Sequence, residues 1–270
     1  MAEQSEDLIE VIKKFFRELR KAPPFKWIFV SRPRIAVLRF SGVIADNSAM
    51  WRGAISHAKC AKLIDKAFRV PDLEAVALVI NSPGGAPAQS SLISNQILKL
   101  SQEKEKPVYA FVEDVAASGG YWLACTADEI YTQDSSIVGS IGVISAGFGF
   151  EDFIKRFDIH RRVHTAGKDK AFMDPFEPEK DGDLKRLTRI QKSIHETFKD
   201  WVKERRGAVL KGKLNTIMEG DFWTGREAAD LGLTDGIGDM RSVLEDKYGD
   251  KVKFVEIQQE KKFFSSFLPM

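Results

Sequence analysis

Two hydrophobic rhythms take turns along this chain. The segment 34-RIAVLRFSGVI-44 reads as a strand, and 75-AVALVI-80 is an unbroken apolar run, the pattern of a parallel strand buried on both faces. A third strand is expected at 107-PVYAFVE-113, with shorter ones at 129-EIYTQ-133, 140-SIGVIS-145 and 159-IHRRVHT-165. Between them the apolar period lengthens to that of a helix. Helical spacing covers 53-GAISHAKCAKLIDKAFR-69 and a stretch running from the turn 81-NSPGG-85 to about Lys99, with Leu92, Ile93, Ile97 and Leu100 on one side. Another helix opens at Ser118, and a long charged one spans 184 to 206 with Leu184, Leu187, Ile190, Ile194, Phe198 and Trp201 as its stripe. A short helix between turns is expected within 224-TGREAADLGLTDGIG-238. Strands alternating with helices predict βαβ units with right-handed crossovers, hence an α/β fold. No internal repeat or low-complexity linker divides it.

The ends differ in pattern from the middle. In 5-SEDLIEVIKKFFRELRK-21, Leu8, Ile9, Val11, Ile12, Phe15, Phe16 and Leu19 fall on one side of a helical wheel, and Glu10, Lys13, Lys14, Arg17 and Arg20 on the other. Ser5 suits an N-cap, acids precede bases as the helix dipole favours, and Pro23 and Pro24 stop the helix. Such a helix can cover a core or lie on a membrane surface, and covering a core is the commoner use. The tail 263-FFSSFLPM-270 is apolar and unpatterned. The expected division is therefore an amphipathic helix over 1–24, a main domain over 34–240, and a strand with an apolar tail over 241–270.

Composition narrows the classes of function. The 41 basic and 39 acidic residues nearly cancel, so charge gives no reason to expect a nucleic-acid partner. Cys60 and Cys125 lack metal-ligand spacing and cannot build a disulfide framework, although one bond between them is open. No run approaches the roughly 18 to 20 apolar residues of a membrane span, and the acidic opening 2-AEQSEDLIE-10 is unlike a secretory signal peptide. A membrane-associated or cytoplasmic protein is expected.

Candidate chemistry gathers where strands hand over to helices. Two strands end in glycine pairs at that point, Gly84-Gly85 and Gly119-Gly120. Glycines there allow backbone amides to approach a substrate closely, and two amides aimed at one spot form an oxyanion hole. Each pair read alone is equally a plain turn. Ser118, in 114-DVAASGGYWLAC-125, is a nucleophile candidate beside one pair, although an isolated serine there is more often an N-cap. A nucleophile needs a base. His57 and His195 lie in charged helices and read as surface residues, while His160 and His164 flank the strand at 159–165; none is framed by a motif. In 165-TAGKDKAFMDPFEP-178 the loop lysines Lys168 and Lys170 are the other choice. Either can serve only if burial depresses its pKa, and chemistry alone does not choose between them.

Taken together, 81-NSPGG-85, 114-DVAASGGYWLAC-125, 138-VGSIGVI-144, 165-TAGKDKAFMDPF-176 and 223-WTGREAADLGL-233 resemble, in order and spacing, the signal peptide peptidase A family of serine peptidases. The likeness covers about residues 34 to 240. It implies a ClpP/crotonase-like α/β fold, a spiral of βαβ units with mostly parallel sheets and flanking helices. It further implies a Ser–Lys dyad, with Ser118 as nucleophile and Lys170, the lysine before M-D-P, as general base. Ser140 would orient that lysine, and the amides of Gly85 and Gly119 would form the oxyanion hole.

The family implies a serine endopeptidase acting on peptides or unfolded proteins, hydrophobic ones and remnant signal peptides among them, without cofactor or metal. It also implies bowl-shaped ring homo-oligomers in which neighbouring protomers supply the serine and the lysine. Members usually carry an N-terminal membrane anchor, whereas this chain opens with the amphipathic segment, which leaves peripheral membrane contact as the expectation. Two alternatives stand beside the peptidase: a crotonase-like acyl-thioester enzyme, against which Ser140 and the lysine block argue, and an inactive scaffold.

Overall fold

A computed structural model describes residues 32–46, 53–167 and 169–258. The amphipathic segment at 5–21, Lys168 and the tail from Phe263 lie outside the described residues. The described chain is a mostly parallel sheet flanked by helices, an α/β architecture consistent with the ClpP/crotonase-like fold. Strands β1 (Arg34–Ser41), β2 (Leu73–Ser82) and β3 (Val108–Ala117) form its middle, joined by helices α1 (His57–Ala67) and α2 (Pro87–Lys104). After β3 come the short helix α3 (Gly119–Ala124), β4 (Glu129–Thr132) and β5 (Ile137–Gly139). The rest comprises α4 (Glu151–Arg156), α5 (Asp181–Arg206), α6 (Leu214–Ile217), β6 (Phe222–Thr224), α7 (Gly225–Asp230), β7 (Gly236–Ile237), α8 (Met240–Tyr248) and β8 (Lys253–Glu256).

The apolar run 75–80 is buried on both faces, as its pattern predicts. Val76, Leu78 and Ile80 join Leu38, Phe40, Ile93 and Ile97 in one core beneath α1 to α3. Ala75, Ala77 and Val79 join Ile35, Val37 and Phe111 in a second, closed by Leu244 of α8. Alternate residues of one strand thus supply two cores, which removes any polar face from the central strands.

The strand order is β6-β5-β3-β2-β1-β8, with β4 also pairing β3 and β7 beyond it. β3 is shared between two partners. Tyr109 to Val112 pair with Glu129 to Thr132 of β4, whereas Val115 to Ala117 pair with Ile137 to Gly139 of β5. The pairings are parallel except that of β5 with β6. The sheet therefore forks along β3, and buried Ser136 donates its hydroxyl to the Glu113 carbonyl at the fork.

α5 packs over only part of its length. Phe198 and Trp201 stack on Trp122 of α3 with centroids 5.0 and 6.1 Å apart, and the Trp201 indole donates to the Trp122 carbonyl. At its C-terminal end, Arg206, 3 % exposed, forms a two-pronged ion pair with Asp235 at 2.8 and 3.1 Å. Toward the N-terminus the expected stripe is not covered: Leu184 and Ile190 are exposed.

Other expectations need correction. The segment 140–145 is not a strand. β5 ends at Gly139, where positive φ at Gly139 (117°) and Ser140 (52°) turns the chain out of the sheet. Residues 159–165 are irregular and exposed rather than a strand. Leu92 of α2 faces solvent. The two cysteines are free, and burial pushes the Cys125 thiol up to about 12 against the pull of Arg206.

Candidate active site

The first glycine turn is built on β1 and β2. At the end of β2 the buried Ser82 donates its hydroxyl to the Gly42 carbonyl at 2.7 Å and accepts the Gly84 N–H at 3.1 Å. Ile44 then clamps the turn, donating to the Gly84 carbonyl at 2.8 Å and accepting from Ala86 at 2.7 Å. This fixes Gly85, which is exposed, at φ 142°. Ser82 drew no notice in the sequence, although a serine closing a strand ahead of Pro-Gly-Gly is a signal for such a turn.

The second glycine turn lies against the first. A β-carbon on Gly84 would come within 2.8 Å of Gly119 N, Ala117 O and Ser118 Cβ. One on Gly119 would stand 3.3 Å from the Gly85 nitrogen. Only residues without side chains permit this approach, so the Gly85 and Gly119 amides border the same small space beside Ser118.

Ser118 sits between β3 and α3 with φ 51° and ψ −122°, outside the regions that L-residues favour. Its backbone is held at both ends: its N–H donates to the Gly139 carbonyl at 2.8 Å and its carbonyl accepts from Trp122 at 3.0 Å. Its half-buried side chain does not cap the helix. The plain reading of this serine as an N-cap therefore fails, and the strained backbone presents a hydroxyl with no hydrogen-bond partner among the described residues.

Ser140 belongs to the same cluster. Gly139, whose carbonyl holds Ser118, precedes it directly. Its own N–H donates to the Asp221 carbonyl at 2.6 Å, from the segment that leads into β6. Trp223 packs where a β-carbon on Gly139 would lie, 2.8 Å from its ring. The structure thus brings together Ser118, Gly85, Gly119 and Ser140.

Lys170 stands apart from that cluster. It is exposed, and no hydrogen bond among the described residues joins it to Ser118 or Ser140. Its loop is fastened to the first turns of α5 instead. Asp169 pairs with Arg186 at 2.9 Å, Asp183 accepts the Met173 N–H at 3.2 Å, and Arg186 lies over the Phe172 ring at 5.6 Å. A hydrogen bond from Arg161 holds the Asp174 carboxyl below its usual range.

The histidines also resolve. His160 and His164 are exposed, and half-buried His57 bonds to Gln96. His195 is not the surface residue expected: half-buried, it lies between the carbonyls of Ile141 and Met218. Among the described residues no His, Cys, Asp and Glu cluster suits a metal ion.

The model of peptidase family S49 matches residues 101–252, which take in Ser118, Gly119, Ser140 and Lys170. Over 185 residues the chain is 34% identical to a protein of Methanocaldococcus jannaschii that carries a protease name, covering 67% of this chain and 58% of that one. It is 31% identical over 220 residues to protease 4 of Haemophilus influenzae, covering 78% of this chain and 34% of the relative. A 235-residue match at 51% identity covers 87% of this chain and 32% of a Brucella abortus protein named as a Na+/H+ antiporter. The chain spans about a third of that longer protein, so the antiporter name does not carry over to it. No helix among the described residues is long and apolar enough to cross a membrane. With the family model covering more than half of its length, the chain belongs to peptidase family S49, the serine peptidases related to signal peptide peptidase A.

Proposed function

We propose that this chain hydrolyses peptide bonds in hydrophobic peptides, remnant signal peptides among them, through a Ser118–Lys170 dyad completed between neighbouring copies. The observation that carries this reading is Ser118 itself, an uncapped hydroxyl on a strained backbone beside two glycine amides. Lysine acts as a base only when covered, and Lys170 is exposed in the single chain. A second copy supplies the cover. In support, the chain between Ser140 and α5 bares large apolar side chains, with Ile144 87 %, Phe148 80 % and Phe157 62 % exposed. Such a concentration of apolar surface is usual at protein contacts. A cavity of about 820 Å³ lined by Phe148, Phe150, Met173, Pro175 and Leu187 borders this stretch and gives a partner's side chains a seat.

The steps follow from the groups. Neutral Lys170 takes the Ser118 hydroxyl proton as the oxygen attacks the peptide carbonyl carbon. The Gly85 and Gly119 amides hold the resulting oxyanion. The C–N bond then breaks, the leaving amine takes the proton from Lys170, and an ester to Ser118 remains. Water attacks that ester, gives its proton to Lys170, and releases the acid as Ser118 recovers its hydrogen. Ser140 steers the Lys170 amine toward Ser118. The amphipathic segment and the apolar tail would hold the assembly against a membrane surface.

The test is labelling with a fluorophosphonate probe of wild type, Ser118→Ala and Lys170→Ala, each sized by chromatography. The expected result is loss of labelling in both variants without change of oligomer, and loss of labelling on dilution to monomer. A well-formed oligomer that does not label would overturn the reading and favour the acyl-thioester or scaffold alternatives.

A further inference from the structure

His195 lies in the middle of α5 with one ring nitrogen, Nε2, 2.9 Å from the Ile141 carbonyl oxygen and 2.7 Å from that of Met218. Both oxygens can only accept, so Nε2 carries a hydrogen and shares it between them. Ile141 and Met218 are themselves buried. Without this donor, two carbonyl dipoles would face each other with no proton between them, and unpaired buried acceptors are costly.

The two carbonyls bracket the loop that carries Ser140. Ile141 follows Ser140 directly. Met218 stands three residues before Asp221, whose carbonyl accepts the Ser140 N–H at 2.6 Å. From there β6 pairs antiparallel with β5, Phe222 opposite Gly139, and the Gly139 carbonyl holds the N–H of Ser118. One imidazole N–H thus fastens both arms of the segment that holds Ser140 at φ 52°, a conformation that persists only when its surroundings dictate it. Lys199, one turn further along α5, ties down the same segment at Glu219 with a 3.0 Å ion pair, but reaches only one arm.

We infer that His195 is a positioning residue for the peptidase site, acting through Ser140 by bridging the Ile141 and Met218 carbonyls. The inference rests on the Ser118–Lys170 reading, in which Ser140 directs the base. It differs from a structural role for α5 because it ties the histidine to the chemical step and not to substrate binding.

The test compares His195→Gln, whose side-chain amide nitrogen can fall near the Nε2 position, with His195→Asn, whose nitrogen stops short of it. Fluorophosphonate labelling rate, kcat and KM on a peptide substrate, melting temperature and oligomer size are measured for each. His195→Asn is expected to label about tenfold slower or more, the scale of effect of a small displacement at a catalytic site. KM should stay put, and His195→Gln should fall between it and wild type. Lys203→Met, which removes the exposed Lys203–Asp200 ion pair on α5 and touches neither arm of the bridge, is expected to label at the wild-type rate.

Run in a Ser140→Ala background, the histidine variants should slow labelling no further, since residues acting in series are not additive. Equal rates for wild type and His195→Asn, equal losses in the Gln and Asn variants, or full additivity with Ser140→Ala would overturn the inference. If His195→Asn does not fold, His195→Gln in the two backgrounds decides by the same criterion of additivity. Ser118→Ala and Lys170→Ala report separately on the dyad. Labelling that survives either of them counts against the dyad, whereas labelling that survives only the histidine changes counts against His195 alone.

Discussion

A β-carbon at position 85 would stand 1.9 Å from the Ile44 carbonyl oxygen, on backbone whose φ of 142° already disfavours a side chain. Gly85→Ala should therefore cost about 1–3 kcal/mol of folding stability and, more tellingly, turn the Gly85 amide away from the proposed oxyanion position. The expected outcome is a folded protein in which kcat falls much further than stability does, measured by denaturant titration beside peptide hydrolysis. At this scale the blocks that carry Gly85, Ser118, Gly119 and Ser140 are legible as short stretches whose neighbours have little freedom, and the roles of these residues rest on the family resemblance. His195 is not legible. Its partners are main-chain carbonyls from residues 54 and 23 positions away along the chain, and a carbonyl leaves no trace in the identity of its residue. Ser82 is equally hidden, since its hydroxyl answers to Gly42, just past the end of β1.

Among the elements, α5 changes character along its length. Its C-terminal half is fastened by the aromatic stack on Trp122 and by the Arg206–Asp235 pair, and its N-terminal half holds the Lys170 loop while leaving Leu184 and Ile190 in solvent. Phe198→Ala removes the ring nearest Trp122 and should destabilise the fold by roughly 3–5 kcal/mol, read from urea unfolding. Because α5 carries His195, labelling should drop in the same variant. The long helix was plain in its periodicity, but periodicity says which residues share a side and not what covers them. For 140–145 the opposite error arose. Alternating Ser, Ile, Gly and Val looks like a strand, and only the positive φ at Gly139 and Ser140 diverts it. Helix α8 went unread although Asp239 accepts from the Arg241 and Ser242 amides as an N-cap; nine residues give the helical period too little room to declare itself.

For the whole molecule, the fork in β3 has a consequence for how the protein fails on heating. The branch that holds Ser118 is a three-residue pairing of β5 with β3, backed by an equally short β6. The trunk, β1 to β3, is eight to ten residues long per strand and buried on both faces. Short ladders open at lower free energy than the body they attach to, as separate units rather than with the global transition. The branch should come away first, letting Ser118 relax from its strained angle while both cores persist. Hydrolytic activity would then disappear several degrees below the calorimetric melting point and return on cooling. Amides of 137–142 and 218–224 would exchange hydrogen in that window while those of β2 stay protected. Catalysis in this protein would then have its own, lower melting point, set by six paired residues at the tip of a much sturdier sheet.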